Sequence, residues 1–125
     1  MTRKQEIGRR GEDEAAAYLV KRGYRIVQRN YWKPWGELDI IARAKDKTLV
    51  FVEVKTIYNN LTNMSNQYIK PEDNLTRAKL VKLQRTAELY ANSNDSGVTD
   101  KGWRIDLLAI DMAGDRLDIR HYENI

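Results

Sequence analysis

Apolar and polar positions alternate with helical periodicity in two stretches of the chain. The first covers residues 6–22 and ends before Gly23, where a glycine commonly terminates a helix. The second runs from Pro71, which suits the first turn of a helix, to about Ala91. Their apolar faces contain Ala15, Tyr18 and Leu19 in the first stretch and Leu80, Leu83, Ala87 and Ala91 in the second. The pattern therefore predicts two amphipathic helices.

Five further stretches have the composition of strands. They cover residues 24–32, 38–43, 48–55, 103–110 and 117–121. The third is apolar on both faces up to Glu53, so it should lie centrally in a sheet, and a short polar turn joins it to the second in a hairpin. This order predicts an α/β fold with a mixed five-stranded sheet flanked by two helices, in a single domain over residues 1–125. The asparagine-rich residues 57–70 are predicted to form a loop.

Charged side chains interrupt the central strand at its end. Side chains alternate across a strand, so Glu53 and Lys55 share one face with the apolar Phe51. Buried charges need partners or a metal ion. The neighbouring hairpin strand supplies Asp39, so two carboxylates and an ammonium group are predicted to converge at one end of the sheet.

Such a cluster suits phosphodiester hydrolysis. Oxygens of Asp39 and Glu53, with a backbone carbonyl near Val54, would hold a divalent cation that polarises the scissile phosphate. Lys55 would orient or help deprotonate the attacking water and offset charge in the transition state. The alternative interpretation is an ordinary ion pair between Asp39 and Lys55 at the end of the sheet.

Composition narrows the chemistry further. The chain has no cysteine and one histidine, His121, which excludes disulfide frameworks, thiolate zinc sites and multi-histidine metal sites. A metal held by carboxylates and carbonyls would be a hard cation such as Mg²⁺ or Mn²⁺. The net charge of +4 is compatible with nucleic acid as a partner. The charged N-terminus and the lack of an apolar run of about 20 residues predict a cytoplasmic protein with no membrane partner.

Two segments carry a resemblance to a known family. GRRGEDEAAAYLVKRGYRIVQRNY and GELDIIARAKDKTLVFVEVK resemble the YraN-type family of small bacterial endonuclease-like proteins. That family is similar to archaeal Holliday-junction resolvases within the restriction-endonuclease-like PD-(D/E)xK fold. The resemblance is dense over residues 7–55 and weaker at residues 76–79, 104–106 and 121–124. It implies a Mg²⁺-dependent endonuclease acting on DNA, with branched or structured DNA as an expected substrate and a homodimer as an expected assembly.

The resemblance also implies roles for individual residues. Asp39 matches the first metal carboxylate, Glu53 the second, and Lys55 the catalytic lysine. Glu12 matches a first-helix glutamate that completes the metal site in resolvase-like proteins, although it could be a helix-surface carboxylate. Many family members carry an arginine where this chain has Ile57, which leaves the shape of the substrate open.

Several other positions allow two interpretations. Glu37 could support the metal carboxylates or pair with Arg43, and Asp106 could be catalytic or, slightly favoured, a structural partner for an arginine. For His121 a packing or capping role is favoured. The residues predicted to contact nucleic acid, each with a solvated surface position as the alternative, are Arg9, Arg10, Lys33, Arg77, Lys79 and Lys82.

Aromatic residues cluster beside Lys33 at the predicted turn between the first two strands. Tyr31, Trp32 and Trp35 could stack on unpaired bases, but packing under the first helix is the favoured prediction. For the whole chain, the alternative to an endonuclease is a nucleic-acid-binding module that keeps the nuclease fold without cutting. The retention of Asp39, Glu53 and Lys55 together favours the enzyme.

Overall fold

A computed structural model of the chain describes residues 1–59 and 70–125. Its elements, in chain order, are α1 (Arg3–Lys21), β1 (Arg25–Lys33), β2 (Gly36–Arg43), β3 (Leu49–Tyr58), a 3₁₀ turn (Pro71–Asn74), α2 (Arg77–Ala91), β4 (Trp103–Ala113) and β5 (Arg116–Tyr122). The strands form one sheet in the order β1-β2-β3-β4-β5, with β3 and β4 parallel and the other neighbours antiparallel. This confirms the predicted α/β fold with a mixed five-stranded sheet and two helices, and it is consistent with the restriction-endonuclease-like fold.

One helix covers each face of the sheet. Ala15 and Leu19 of α1 are fully buried against the face of β3 that carries Val50 and Val52. On the opposite face, Leu83, Ala87 and Ala91 of α2 pack with a second apolar cluster that includes Leu49 and Phe51 of β3. Each fully buried Leu, Val or Phe side chain contributes about 1.5–3 kcal/mol to folding. The central strand is therefore apolar on both faces because each face supports a separate core.

Both helices begin elsewhere than the sequence pattern predicted. α1 starts earlier, at Arg3, because Thr2 and Gln5 form a capping box in which each side chain accepts from the other residue's backbone N–H. α2 starts later, at Arg77, because the Thr76 side chain accepts from the Lys79 backbone N–H. The prediction that the second helix begins at Pro71 was wrong, since Pro71 opens a separate 3₁₀ turn.

The prediction that a loop begins at residue 57 was wrong. Ile57 and Tyr58 continue β3, where they pair with Asp111 and Met112 of β4. Residues 60–69 lie outside the described part of the chain. In the described part, no helix is long and apolar enough to cross a membrane.

Two glycines bring the helices close to the same end of the sheet. A side chain at Gly11 of α1 would collide with Thr56 of β3, directly beside Lys55. A side chain at Gly36, the first residue of β2, would collide with Thr86 of α2. These contacts set the distance of each helix from the strand ends that carry the predicted carboxylates.

Candidate metal and nucleic-acid site

Asp39 is held where β2 separates from β3. The paired residues of these strands end at Ile40 and Val52. The next amide on this edge of β3, that of Val54, donates its N–H to Asp39 Oδ2 at 2.8 Å. A side-chain carboxylate thus replaces a backbone acceptor, and this bond fixes the direction of Asp39.

Glu53 lies beside both Asp39 and Lys55. Its Oε1 is 3.6 Å from Lys55 Nζ, and the two side chains are only 16% and 24% exposed. Burial and the neighbouring Asp39 carboxylate raise the pKa of Glu53 to about 8, and Lys55 offsets only part of this rise. The alternative ion pair between Asp39 and Lys55 is not formed among the described residues, because Lys55 pairs with Glu53.

Glu12 of α1 belongs to the same electrostatic group. Burial first, and the Asp39 charge next, raise the pKa of Glu12, whereas Arg29 opposes this rise. Asn30, with its amide nitrogen turned toward Glu12, donates to the two carboxylate oxygens at 3.0 and 3.2 Å. Glu12 is therefore half-buried and oriented, unlike a carboxylate on a freely solvated helix face.

Two clefts meet at Glu53 and Lys55. The α1 cleft, of about 920 Å³, lies between α1 and the end of β3; its charged lining residues are Arg3, Lys4, Arg9, Glu12, Glu37, Asp39, Glu53 and Lys55. The α2 cleft, of about 420 Å³, lies between α2 and the β1–β2 turn; its charged lining residues are Lys33, Glu37, Glu53, Lys55, Lys79 and Lys82. Glu37, Glu53 and Lys55 line both, so the candidate site opens on both sides of the sheet.

The clefts separate the six basic residues predicted to contact nucleic acid. Arg9 lines the α1 cleft, and Lys33, Lys79 and Lys82 line the α2 cleft. Arg10 and Arg77 line neither of them.

Sequence reasoning did not propose Arg3 and Lys4 as site residues, yet both line the α1 cleft. The capping box of Thr2 and Gln5 was the signal that could have found them, because it extends α1 back to these residues.

Glu37 is exposed at the junction of the two clefts. Its alternative partner, Arg43, lies at the other end of β2 and donates instead to the carbonyl oxygens of Lys47 and Gly97, at 3.1 and 2.9 Å. Among the described residues no ion pair joins Glu37 to Arg43. The interpretation of Glu37 as a neighbour of the metal carboxylates stays a prediction.

A second acidic cluster has metal-compatible spacing. Asp106, His121 and Glu123 each offer a ligand atom, and these three atoms all lie within 4.8 Å of one another. Such a group could hold a metal ion. In the described residues Glu12, Asp39 and Glu53 do not form a group of this compactness, so the predicted role of Glu12 as a third ligand stays a prediction.

The Asp106 cluster already contains a full set of partners. Asp106 is completely buried and accepts from Arg104 Nε at 3.0 Å, from His121 Nε2 at 2.8 Å and from the Asn124 backbone N–H at 2.9 Å. The other ring nitrogen of His121 is 3.3 Å from the Tyr18 hydroxyl. Both nitrogens of the ring are thus engaged, and Asp106 pairs with an arginine as the structural interpretation of this residue predicted.

Comparison with known proteins places the chain in a family. The model of the uncharacterised protein family UPF0102 matches residues 11–110. A UPF0102 protein of Alkaliphilus oremlandii is 36% identical over 120 residues, which cover 96% of this chain and 97% of the relative. A UPF0102 protein of Syntrophomonas wolfei is 42% identical over 71% of this chain and 71% of the relative. A UPF0102 protein of Moorella thermoacetica is 37% identical over 88% of this chain and 83% of the relative. The predicted resemblance is therefore confirmed, and the chain belongs to the UPF0102, or YraN, family.

Proposed function

We propose that the chain is a metal-dependent endonuclease that hydrolyses phosphodiester bonds in DNA, with branched or otherwise structured DNA as the expected substrate. One observation carries the proposal: Glu53 is buried beside Asp39 with its pKa raised to about 8, and Lys55 Nζ lies 3.6 Å away. Two crowded carboxylates need more positive charge than one lysine supplies.

The donor set fits a hard divalent cation. Asp39, Glu53 and Glu12 are oxygen donors, the Asp39 charge raises the pKa of both Glu12 and Glu53, and a cation bound among the three would relieve this repulsion. The Val54 carbonyl is the proposed backbone ligand. Mg²⁺ or Mn²⁺ bound there would polarise the scissile phosphate and lower the pKa of a coordinated water.

Lys55 and the surrounding cations have roles of their own. Lys55 is positioned by Glu53 to orient the attacking water and to offset negative charge that develops on the phosphate. Arg9 in the α1 cleft and Lys33, Lys79 and Lys82 in the α2 cleft would contact the phosphate backbone on either side of the cut bond. DNA as substrate also fits a cytoplasmic location.

A panel of labelled DNAs tests the proposal: duplex, single strand, flap and four-way junction, each with Mg²⁺ or Mn²⁺. We expect at least one substrate to be cut, and we expect Glu53→Gln to reduce cutting by at least about 10²-fold because a ligand of the metal is lost. DNA binding by this variant should be unchanged or stronger, since a negative charge next to the phosphates is removed.

Glu123→Gln is the matched control. It makes the same chemical change in the other acidic cluster, at a side chain that is 61% exposed, and should leave cutting unchanged. Equal cutting by Glu53→Gln and the parent chain would refute the assignment. Retained DNA binding with no cutting of any substrate would favour the non-cleaving binding module instead.

A further inference from the structure

Two exposed tryptophans lie where β1 meets β2, Trp32 near the end of β1 and Trp35 in the turn that follows. Trp32 is 65% exposed and Trp35 is 51% exposed, so the predicted packing under the first helix is wrong for both. Tyr31 packs under the second helix instead of the first, edge-on against Tyr90 of α2 with ring centroids 5.1 Å apart. Large aromatic side chains contribute most to folding when they are buried, so an exposed one beside a cleft is a candidate contact for a partner.

Only one of the two tryptophans faces the candidate site. Trp32 lines the α2 cleft together with its neighbour Lys33, whereas Trp35 is absent from the lining of both clefts. The same cleft reaches Glu53 and Lys55. An aromatic ring and the candidate site thus share one continuous surface, and Trp35 is an internal control of the same residue type three positions away.

The charge of the α2 cleft indicates what this surface binds. Four lysines line it against two glutamates, namely Lys33, Lys55, Lys79 and Lys82 against Glu37 and Glu53. Lysines that follow a phosphate backbone, with an aromatic ring on which a base can stack, are the usual elements of a single-strand binding site. A volume of about 420 Å³ is in the range of about 300–1,000 Å³ that holds small organic groups.

We propose that Trp32 is a stacking site for an unpaired nucleobase of a strand held in the α2 cleft. A base within a duplex is stacked on both faces by its neighbours, so only a single-stranded or displaced nucleotide can use the ring. The second part of this inference rests on the proposed function: the DNA that is cut carries unpaired nucleotides next to the scissile bond, as in a flap, fork or bubble.

Binding without metal tests the stacking site independently of catalysis. The full chain is titrated in EDTA against a fluorescent single-stranded oligothymidylate and against a duplex of equal length, and anisotropy is recorded. Trp32→Ala should weaken single-strand binding by roughly 5- to 150-fold, since stacking of one base contributes about 1–3 kcal/mol. Duplex binding should change less than about 2-fold, and Trp32→Phe should restore part of the loss.

Trp35→Ala is the matched control and should bind both DNAs as the parent chain does. Equal losses in Trp32→Ala and Trp35→Ala, or an equal loss on single strand and duplex, would overturn the stacking site. Failure of the parent chain to bind single strands would also overturn the stacking site. So would a preference of the parent chain for an acidic peptide, added as competitor, over the single strand.

Cleavage of a flap substrate separates this inference from the proposed function. If the parent chain cuts a flap in preference to duplex, Trp32→Ala should lower that preference and Trp35→Ala should not. Cutting with the same preference in all three proteins would refute the stacking inference and leave the endonuclease intact. Single-strand binding that depends on Trp32, in a chain that cuts nothing, would support the stacking site and refute the endonuclease.

Discussion

The two acidic clusters of the molecule differ in how their charge is balanced. Burial alone would raise the pKa of Asp106, but hydrogen bonds from His121, Arg104 and the Asn124 backbone N–H outweigh it and hold the pKa below its usual value. Glu53 has the opposite outcome, because burial and the adjacent Asp39 raise its pKa to about 8 against the single lysine nearby. The Asp106 cluster is a completed ion network, whereas Lys55 offsets only part of the charge of the Asp39–Glu53 pair.

Compact spacing of carboxylates is therefore a weak guide to a metal site. The Asp106 cluster has its three ligand atoms within 4.8 Å, but the Arg104 guanidinium already occupies the place of a cation there. Asp39, Glu53 and Glu12 form a less compact group, but Lys55 offsets only part of the negative charge of the Asp39–Glu53 pair. Carboxylates with a raised pKa in a cleft are candidates for function, whereas carboxylates whose charge and hydrogen bonds are matched by partners stabilise the fold.

Substitution at Asp106 should have the largest effect on stability. Asp106→Ala removes the central acceptor of the buried network and leaves Arg104 and His121 without it, which should cost roughly 3–5 kcal/mol. Asp39→Asn keeps an oxygen that can accept from Val54 and should change stability by less than about 1 kcal/mol. Urea unfolding measures both. A stable Asp106→Ala protein would show that this network is not the structural one.

The addition of a metal ion should have the second-largest effect on stability and should distinguish the two clusters. At a concentration of Mn²⁺ 100 times its dissociation constant, the folded parent chain should gain about 2.7 kcal/mol, seen as a rise in the unfolding midpoint. Glu53→Gln should abolish this gain, and Glu123→Gln should keep it. The reverse result, with the gain lost in Glu123→Gln alone, would assign the metal to Asp106, His121 and Glu123.

The sign of the pH dependence gives a third, smaller test. An unfolded glutamate loses its proton near pH 4.5, whereas folded Glu53 keeps it until about pH 8, so the unfolded chain binds fewer protons between these values. Glu53 therefore makes the metal-free protein less stable as pH rises through this window. Relative to the parent chain, Glu53→Gln should gain at least about 1 kcal/mol at pH 9 compared with pH 5, because each pH unit in which only the folded chain keeps this proton contributes about 1.4 kcal/mol.

Urea unfolding of both proteins in EDTA at these two pH values measures the difference. Glu123→Gln serves again as the control, with its difference from the parent chain expected to stay constant. A difference that falls toward pH 9 would mean that Glu53 is ionised in the folded protein at neutral pH, and the Asp39–Glu53 pair would then need no further cation.

Sequence patterns were sufficient to predict those features of the fold that follow from the periodicity of apolar residues. The apolar run that leads to Glu53 predicted the central position of β3, and Asp39 was correctly placed on the neighbouring hairpin strand. The register of that hairpin brings Asp39 beside Glu53 because these carboxylates lie one residue beyond the terminal pair of Ile40 and Val52. These features are local or separated by one short turn.

Features that depend on tertiary contacts were not predictable in this way. The Val54 amide binds the Asp39 side chain because β2 and β3 separate there, which no periodicity indicates. Two of the partners of Asp106 come from β5 and the residues after it, so its burial and low pKa appear only once the strands are assembled. The exposure of Trp32 was missed because aromatic composition alone favours burial, whereas Trp32 lies near the end of β1 with its side chain in solvent.

The smallest expected effect concerns the cations around the Asp39–Glu53 pair. Each lysine that neutralises a DNA phosphate contributes about 1 to the slope of log affinity against log salt concentration. Lys82 lines the α2 cleft, whereas Arg77 lies on the same helix and lines neither cleft. Lys82→Ala should therefore lower the slope by about 1 and Arg77→Ala should leave it unchanged. Equal slopes in the two variants would mean that DNA does not follow the α2 cleft, and that the lysines there only balance the charge of Glu37 and Glu53.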